Sequence, residues 1–367
     1  FHAIVKLFLC FFLFLSDISL KKLNSISNLN FTTEEAKQIN YQFQHDRIQN
    51  AVYELIQEDE RKEIQIIIGR LHLALNFSEE NIFEIVDHLN AGIDKIVDLT
   101  EKKRLIELNL QAAMKSKLST AYELALKYLN QAFNLLSFFQ EPWKEIYPLT
   151  IQVYRGLTEL YYVNGQFDKL EKCVAEILYR TDDIIEIGHA YKALINYYTT
   201  IADYANAVDC GREALEFFNI NLPEDNYELS NQIELKNINK YFRGHFSQSL
   251  LDAPEMKDES QKLALAILCT LMPPAYLYNP KFWIFIVLKS VSLCLRYGTS
   301  EQIFGFSCYG IILGSFFNNY KMGHEFGLLA LKIAEKFENK AEITKAANVM
   351  ANYTLPFREH LKHASEV

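Results

Sequence analysis

The sequence predicts an all-α protein, an α-α superhelix of helical hairpins, on three observations. Beyond about residue 45, apolar residues recur at i, i+3, i+4 and i+7, while the alternation of a half-buried strand is nearly absent. Gly (13) and Pro (8) in 367 residues are scarce, about half the usual combined share of roughly 12%, which disfavours turn-rich sandwiches and propellers. A short pattern, an aromatic residue followed by small or apolar residues at +3, +7 and +10, keeps returning along the chain.

The first element is an apolar run, Phe1 to Leu15, broken by His2 and Lys6. It is shorter than the roughly 18 residues a membrane span needs. It has the length of a signal-peptide apolar region, but Ser16 to Leu20 lacks a small-residue cleavage site. It reads as a buried segment of an upstream domain or as a signal or anchor. The chain starts with Phe and stops just after the amphipathic run Phe357 to Ala364, as a piece of a longer protein would.

Thr32 and Glu35 form a capping box. Tyr41 and Phe43 then alternate like a short strand, and Ile48, Ala51, Val52, Leu55 and Ile56 form a helical stripe. A strand feeding a helix fits a winged-helix element. His45 and Arg47 sit at that junction, where free backbone N–H groups at a helix start favour an anion; the alternative is a surface pair satisfied by local carboxylates. Glu58, Asp59 and Glu60 beside Arg61 and Lys62 read as an exposed helical junction. Ser78, Glu79 and Glu80 give an N-cap with first-turn acids for a helix whose apolar face is Ile82, Ile85, Val86 and Leu89.

The repeated pattern occupies the rest. Its clear copies are Tyr122-Ala125-Leu129-Ala132, Phe167-Leu170-Val174-Ile177, Tyr204-Ala207-Gly211-Ala214 and Tyr320-Gly323-Gly327-Ala330, with a poorer copy at Phe282-Phe285-Lys289-Ser292 and Phe246 near a missing midpoint. A period of about 37 to 45 residues is that of a helical-hairpin solenoid. The four positions share one helical face, and small residues there let a neighbouring helix approach closely. Asn164-Gly165, Ala202-Asp203 and Asn318-Asn319 precede the aromatic residue, and Asn-Gly and Asn-Asn favour the left-handed cap of a helix end. Asn221 to Asp225, Ala253-Pro254 and Pro273-Pro274 are expected to interrupt the array, and Asn279-Pro280 to open the helix carrying Phe282.

Composition and motifs narrow the function. A formal charge of −9 without a large basic block removes the footprint of a nucleic-acid binder. Cys10, Cys173, Cys210, Cys269, Cys294 and Cys308 are spread singly and read as buried apolar residues of a reducing compartment. Asn30, Asn76 and Asn352 match the glycosylation acceptor pattern, which matters only in a secreted protein. No GxxxxGK[ST], HExxH, GxSxG or kinase motif set occurs. His360 and His363 could share a helical face, but a zinc site needs three or four protein ligands. No catalytic or metal-ligating residue is assigned.

The run Phe43-x-His45-Asp46-Arg47-Ile48-Gln49-x-Ala51-x-Tyr53-x-Leu55-Ile56, with Glu60-Arg61, resembles the end of the AAA-type ATPase core in large bacterial multi-sensor serine/threonine or histidine kinases. Ile85-Val86-x-His88-Leu89-Asn90, Leu108-Asn109-Leu110-x-Ala112, Ser119-x-Ala121-Tyr122, Ala125-x-x-Tyr128-Leu129, Pro274-Ala275-Tyr276 and Tyr309-Gly310 continue the likeness to the tetratricopeptide-like region that follows. The resemblance spans roughly residues 41 to 364. It implies a winged-helix remnant at 41–75 and tetratricopeptide-like repeats at 76–367, and leaves 1–40 outside the likeness as an apolar segment and linker. By the same resemblance, His45 and Arg47 would contact a nucleotide phosphate in the full-length parent, where ATP or ADP is expected.

This chain is thus expected to be a non-catalytic interaction and signal-relay scaffold with no cofactor of its own, cytoplasmic, binding a protein or peptide on its concave face beside the parent's ATPase and kinase domains. The alternatives are a part of an ATP-binding sensor kinase whose catalytic domains lie elsewhere, and a membrane-tethered helical adaptor held by Phe1 to Leu15. Neither nucleic acid nor a membrane is an expected partner.

Overall fold

The computed structural model describes residues 56–75, 81–241 and 248–357, and every regular element in them is helical. An isolated parallel bridge joins Glu255 and Thr299. The chain divides into two compact units that part between Val153 and Tyr154. Among the described residues, no helix is long and apolar enough to cross a membrane.

The first unit contains α1 (Glu58–Leu75), α2 (Ile82–Ala91), a 3-10 turn (Ile93–Lys95), α3 (Leu99–Leu118), α4 (Tyr122–Leu136) and the short α5 (Pro142–Glu145). Glu58, Asp59 and Glu60 fill the first turn of α1, where negative charge suits the positive end of the helix dipole. A Cβ on Gly69 would fall 2.7 Å from the Leu89 side chain, so α1 and α2 touch closely. The expected face of α2 is the buried one: Ile82, Ile85, Val86 and Leu89. Its proposed N-cap, Ser78 to Glu80, lies outside the described residues, as do Phe1 to Leu15, the Thr32 capping box, the strand–helix junction at Tyr41 to Leu55, Phe246, and His360 with His363. Asn90 and Asn109 exchange two amide hydrogen bonds (2.9 and 3.0 Å) and tie α2 to α3.

The second unit holds the remainder of α6 (Tyr147–Val163), then α7 (Phe167–Arg180), α8 (Ile184–Thr200), α9 (Tyr204–Glu216), α10 (Tyr227–Tyr241), α11 (Gln248–Leu251), α12 (Glu259–Tyr278), α13 (Pro280–Tyr297), α14 (Phe304–Ser315), α15 (Tyr320–Lys336) and α16 (Lys340–Val349), with a π-turn and a 3-10 turn through Phe357. Asn279 caps α13 by accepting from the N–H groups of Lys281 and Phe282, and Pro280 sits in its first turn, as the sequence predicts. Pro273 and Pro274 do not interrupt the array: both lie inside the last turns of α12. Leu271, Met272 and Ala275 beside them are 0–1% exposed, so burial outweighs the two missing backbone bonds.

The aromatic residue of each clear copy opens a helix, and the residue two positions before the new helix is left-handed: Thr120 (φ 59°), Gly165 (66°), Ala202 (60°), Asn318 (53°) and, before α16, Glu338 (53°). At Ala202, its N–H donates to the Thr199 carbonyl and the next N–H, of Asp203, donates to Tyr198. The same two bonds recur at Thr120, Gly165 and Glu338, which satisfy carbonyls that a helix end otherwise leaves open.

Small repeat positions sit where helices meet. A Cβ on Gly211 would lie 2.6 Å from Leu271 of α12, and one on Gly327 2.7 Å from Met350. Ala125, Ala132, Ala207, Ala214 and Ala330 are fully buried. Glu342 of α16, 2% exposed, accepts from the N–H groups of both Ile303 and Phe304 at 3.0 Å and so caps α14 from 38 residues away in sequence. Lys345 donates to its other oxygen at 2.7 Å.

Candidate functional site

Two facing helices of the second unit build a concave surface. On α10, Glu234, Asn237, Ile238 and Tyr241 follow the i, i+3, i+4, i+7 spacing of one helical face, and on α13 so do Lys289, Ser292, Leu293 and Arg296. With Phe218 to Ile220, just after α9, and Gln261 of α12 they line an open cleft of ≈ 710 Å³.

Its floor is apolar, with Phe218, Ile220, Ile238, Leu293 and Leu295 all buried. A polar node crosses that floor. Glu234 is 8% exposed, and its two carboxylate oxygens accept from Lys289 Nζ at 3.0 Å and Ser292 Oγ at 2.8 Å. Such a buried carboxylate is held by its partners, and removing one leaves an uncompensated charge worth about 3–5 kcal/mol. One turn on, Arg296 and Tyr297 are exposed, with the guanidinium 5.2 Å from the Tyr297 ring centroid. Arg296 makes no ion pair with any described residue.

Sequence reading passed over this node, although it left a trace. Lys289 and Ser292 occupy the +7 and +10 positions of the poorer repeat copy, where the other copies carry small or apolar residues. Those two departures from the pattern are the groups that hold Glu234. The predicted pair His45 and Arg47 lies outside the described residues.

Burial pushes the Cys173 thiol up to about 11, and those of Cys210 and Cys269 to about 12; Cys294 and Cys308 are raised further for the same reason. Thiols so disfavoured from ionising are poor nucleophiles. Burial first raises the Tyr154 phenol to about 12 and that of Tyr191 above the usual phenol range. His72 and His88 face each other with ring centroids 5.9 Å apart, near Glu84. Among the described residues no three or more His, Cys, Asp or Glu side chains are arranged to hold a metal ion.

The chain is similar to a hybrid signal transduction histidine kinase G of Dictyostelium discoideum, 25% identical over 347 residues. The chain is related to a signalling kinase. The match takes in 82% of the chain and 10% of that protein, so the chain spans about a tenth of the length of the curated relative it matches. No family model matches, and no solved structure does.

Proposed function

We propose that the chain is a non-catalytic helical-repeat module, a tetratricopeptide-like solenoid, that binds a protein or peptide and relays its occupancy to the enzymatic domains of a longer cytoplasmic signalling kinase. The observation that carries this reading is the similarity of most of the chain to one tenth of a histidine kinase. Recurrent hairpins with one turn geometry and small residues at helix contacts support the solenoid, since stacked hairpins offer extended concave surfaces for ligands. The cleft between α10 and α13, with its apolar floor and a few placed polar groups, supports the binding role.

Within the same reading, residues 41–75 end an ATPase core, and His45 and Arg47 contact a nucleotide phosphate when that core is present. A second reading, that the chain is part of an ATP-binding sensor kinase acting in a phosphorelay, is favoured by the name of the relative. The test is to titrate the 367-residue chain with Mg-ATP and, separately, to probe it against a random peptide array. Saturable peptide binding with no nucleotide binding is the expected outcome. Nucleotide binding by this chain without peptide binding would overturn the proposal.

A further inference from the structure

We infer that the α10–α13 cleft takes an extended peptide segment in which a Leu- or Phe-like side chain stands beside an Asp or Glu, the carboxylate meeting Arg296. The inference rests on the binding role proposed above and names the partner's chemistry.

Charge decides the polarity. The lining carries two cations, Lys289 and Arg296, against one carboxylate, Glu234. Glu234 is already engaged by Lys289 and Ser292, so the charge that remains unmatched is the guanidinium of Arg296. In a chain of net charge −9, an exposed cation over an apolar floor, with no ion-pair partner among the described residues, is a local inversion of sign. A guanidinium binds carboxylates through two parallel N–H···O bonds, and the Tyr297 ring, its centroid 5.2 Å away, gives this one an aromatic neighbour.

Shape decides the rest. A cleft of ≈ 710 Å³ has room for a few side chains, and Phe218, Ile220 and Leu293 offer an apolar seat. Tyr241, 64% exposed at the end of α10, adds an aromatic wall with a phenol at its tip. A single arginine with its lysine neighbour already paired suits a carboxylate better than a phosphoryl group, which is recognised by clusters of free cations.

The test uses the full chain and two fluorescein-labelled octapeptides, one alternating Leu and Glu and one alternating Leu and Gln, followed by anisotropy at low and moderate salt. The Glu peptide is expected to bind at least about ten-fold tighter, with Arg296→Gln erasing that preference and Arg296→Lys keeping part of it. Arg296 is exposed, so these variants fold, and circular dichroism checks it. Equal affinity for the two peptides, or a preference that survives Arg296→Gln, overturns the inference and leaves the binding role standing. Failure of both peptides here together with an empty random array defeats both readings.

Discussion

A Cβ placed on Gly310 would lie 2.6 Å from the carbonyl oxygen of Gly323, and one on Gly323 would lie 2.6 Å from that of Gly310. Helices α14 and α15 therefore meet backbone to backbone. Gly323→Val forces the helices apart and is expected to lower stability by about 2–3 kcal/mol, as overpacking a tight contact does. The exposed Lys321→Val on the same helix should change it by less than about 0.5 kcal/mol. Urea midpoints measure both, and equal midpoints would contradict the close approach.

Ala202 pays a conformational cost at φ 60° that glycine would not. A left-handed L-residue is disfavoured by roughly 1–2 kcal/mol, partly offset by the greater freedom glycine has when unfolded. Ala202→Gly is expected to stabilise the protein by about 0.5–1 kcal/mol, and Ala202→Val to destabilise it. Thermal melts of the three proteins should rank Gly above Ala above Val.

The carboxylate of Glu342 satisfies two N–H groups at the start of α14, one buried and one half-buried, while its partner Lys345 is largely exposed. Glu342→Ala is expected to cost about 3 kcal/mol, because two donors lose their acceptor inside the protein. Lys345→Ala should cost under about 1 kcal/mol, as exposed partners of ion pairs do. Equal losses in denaturant titrations would show that the ion pair, rather than the cap, matters there.

Burial lowers His189 from 6.5 to about 4, and Arg155 and Lys192 add to the effect. His88 is lowered as well, again by burial first. The fold holds the neutral imidazole of His189, whereas the unfolded chain takes up a proton near 6.5. Stability is therefore full above that pH and falls as the pH drops from about 6.5 toward 4. Melting temperatures at pH 7.5 and pH 5 should differ, and His189→Gln should narrow the gap; an unchanged gap would assign the pH dependence to other groups.

Helix content and many helix boundaries were legible because the signals are local. The stripe at Ile82, Ile85, Val86 and Leu89, the cap at Asn279 and the aromatic openings at Tyr122, Phe167, Tyr204 and Tyr320 follow from spacing and capping chemistry. The turn at Gly165 was legible for the same reason. The equivalent turns at Thr120 and Glu338 were not, and at Ala202 the turn was legible but its left-handed backbone was not, since none of those residues prefers that conformation. Packing of the flanking helices holds them there.

The cleft shows the same division. Lys289 and Ser292 could be seen to break the repeat, but their reason, Glu234, lies more than fifty residues earlier on another helix. Pro273 and Pro274 were misjudged because local propensity ignores the core around them. By itself the amino-acid order determined the helices, their faces and the recurrence of the hairpin, which depend on residues within a few turns of one another. The partnership of Glu234 with Lys289, the capping of α14 by Glu342 and the contact of Gly310 with Gly323 were decided only when distant helices packed, because burial energy and hydrogen-bond pairing are set by neighbours in space.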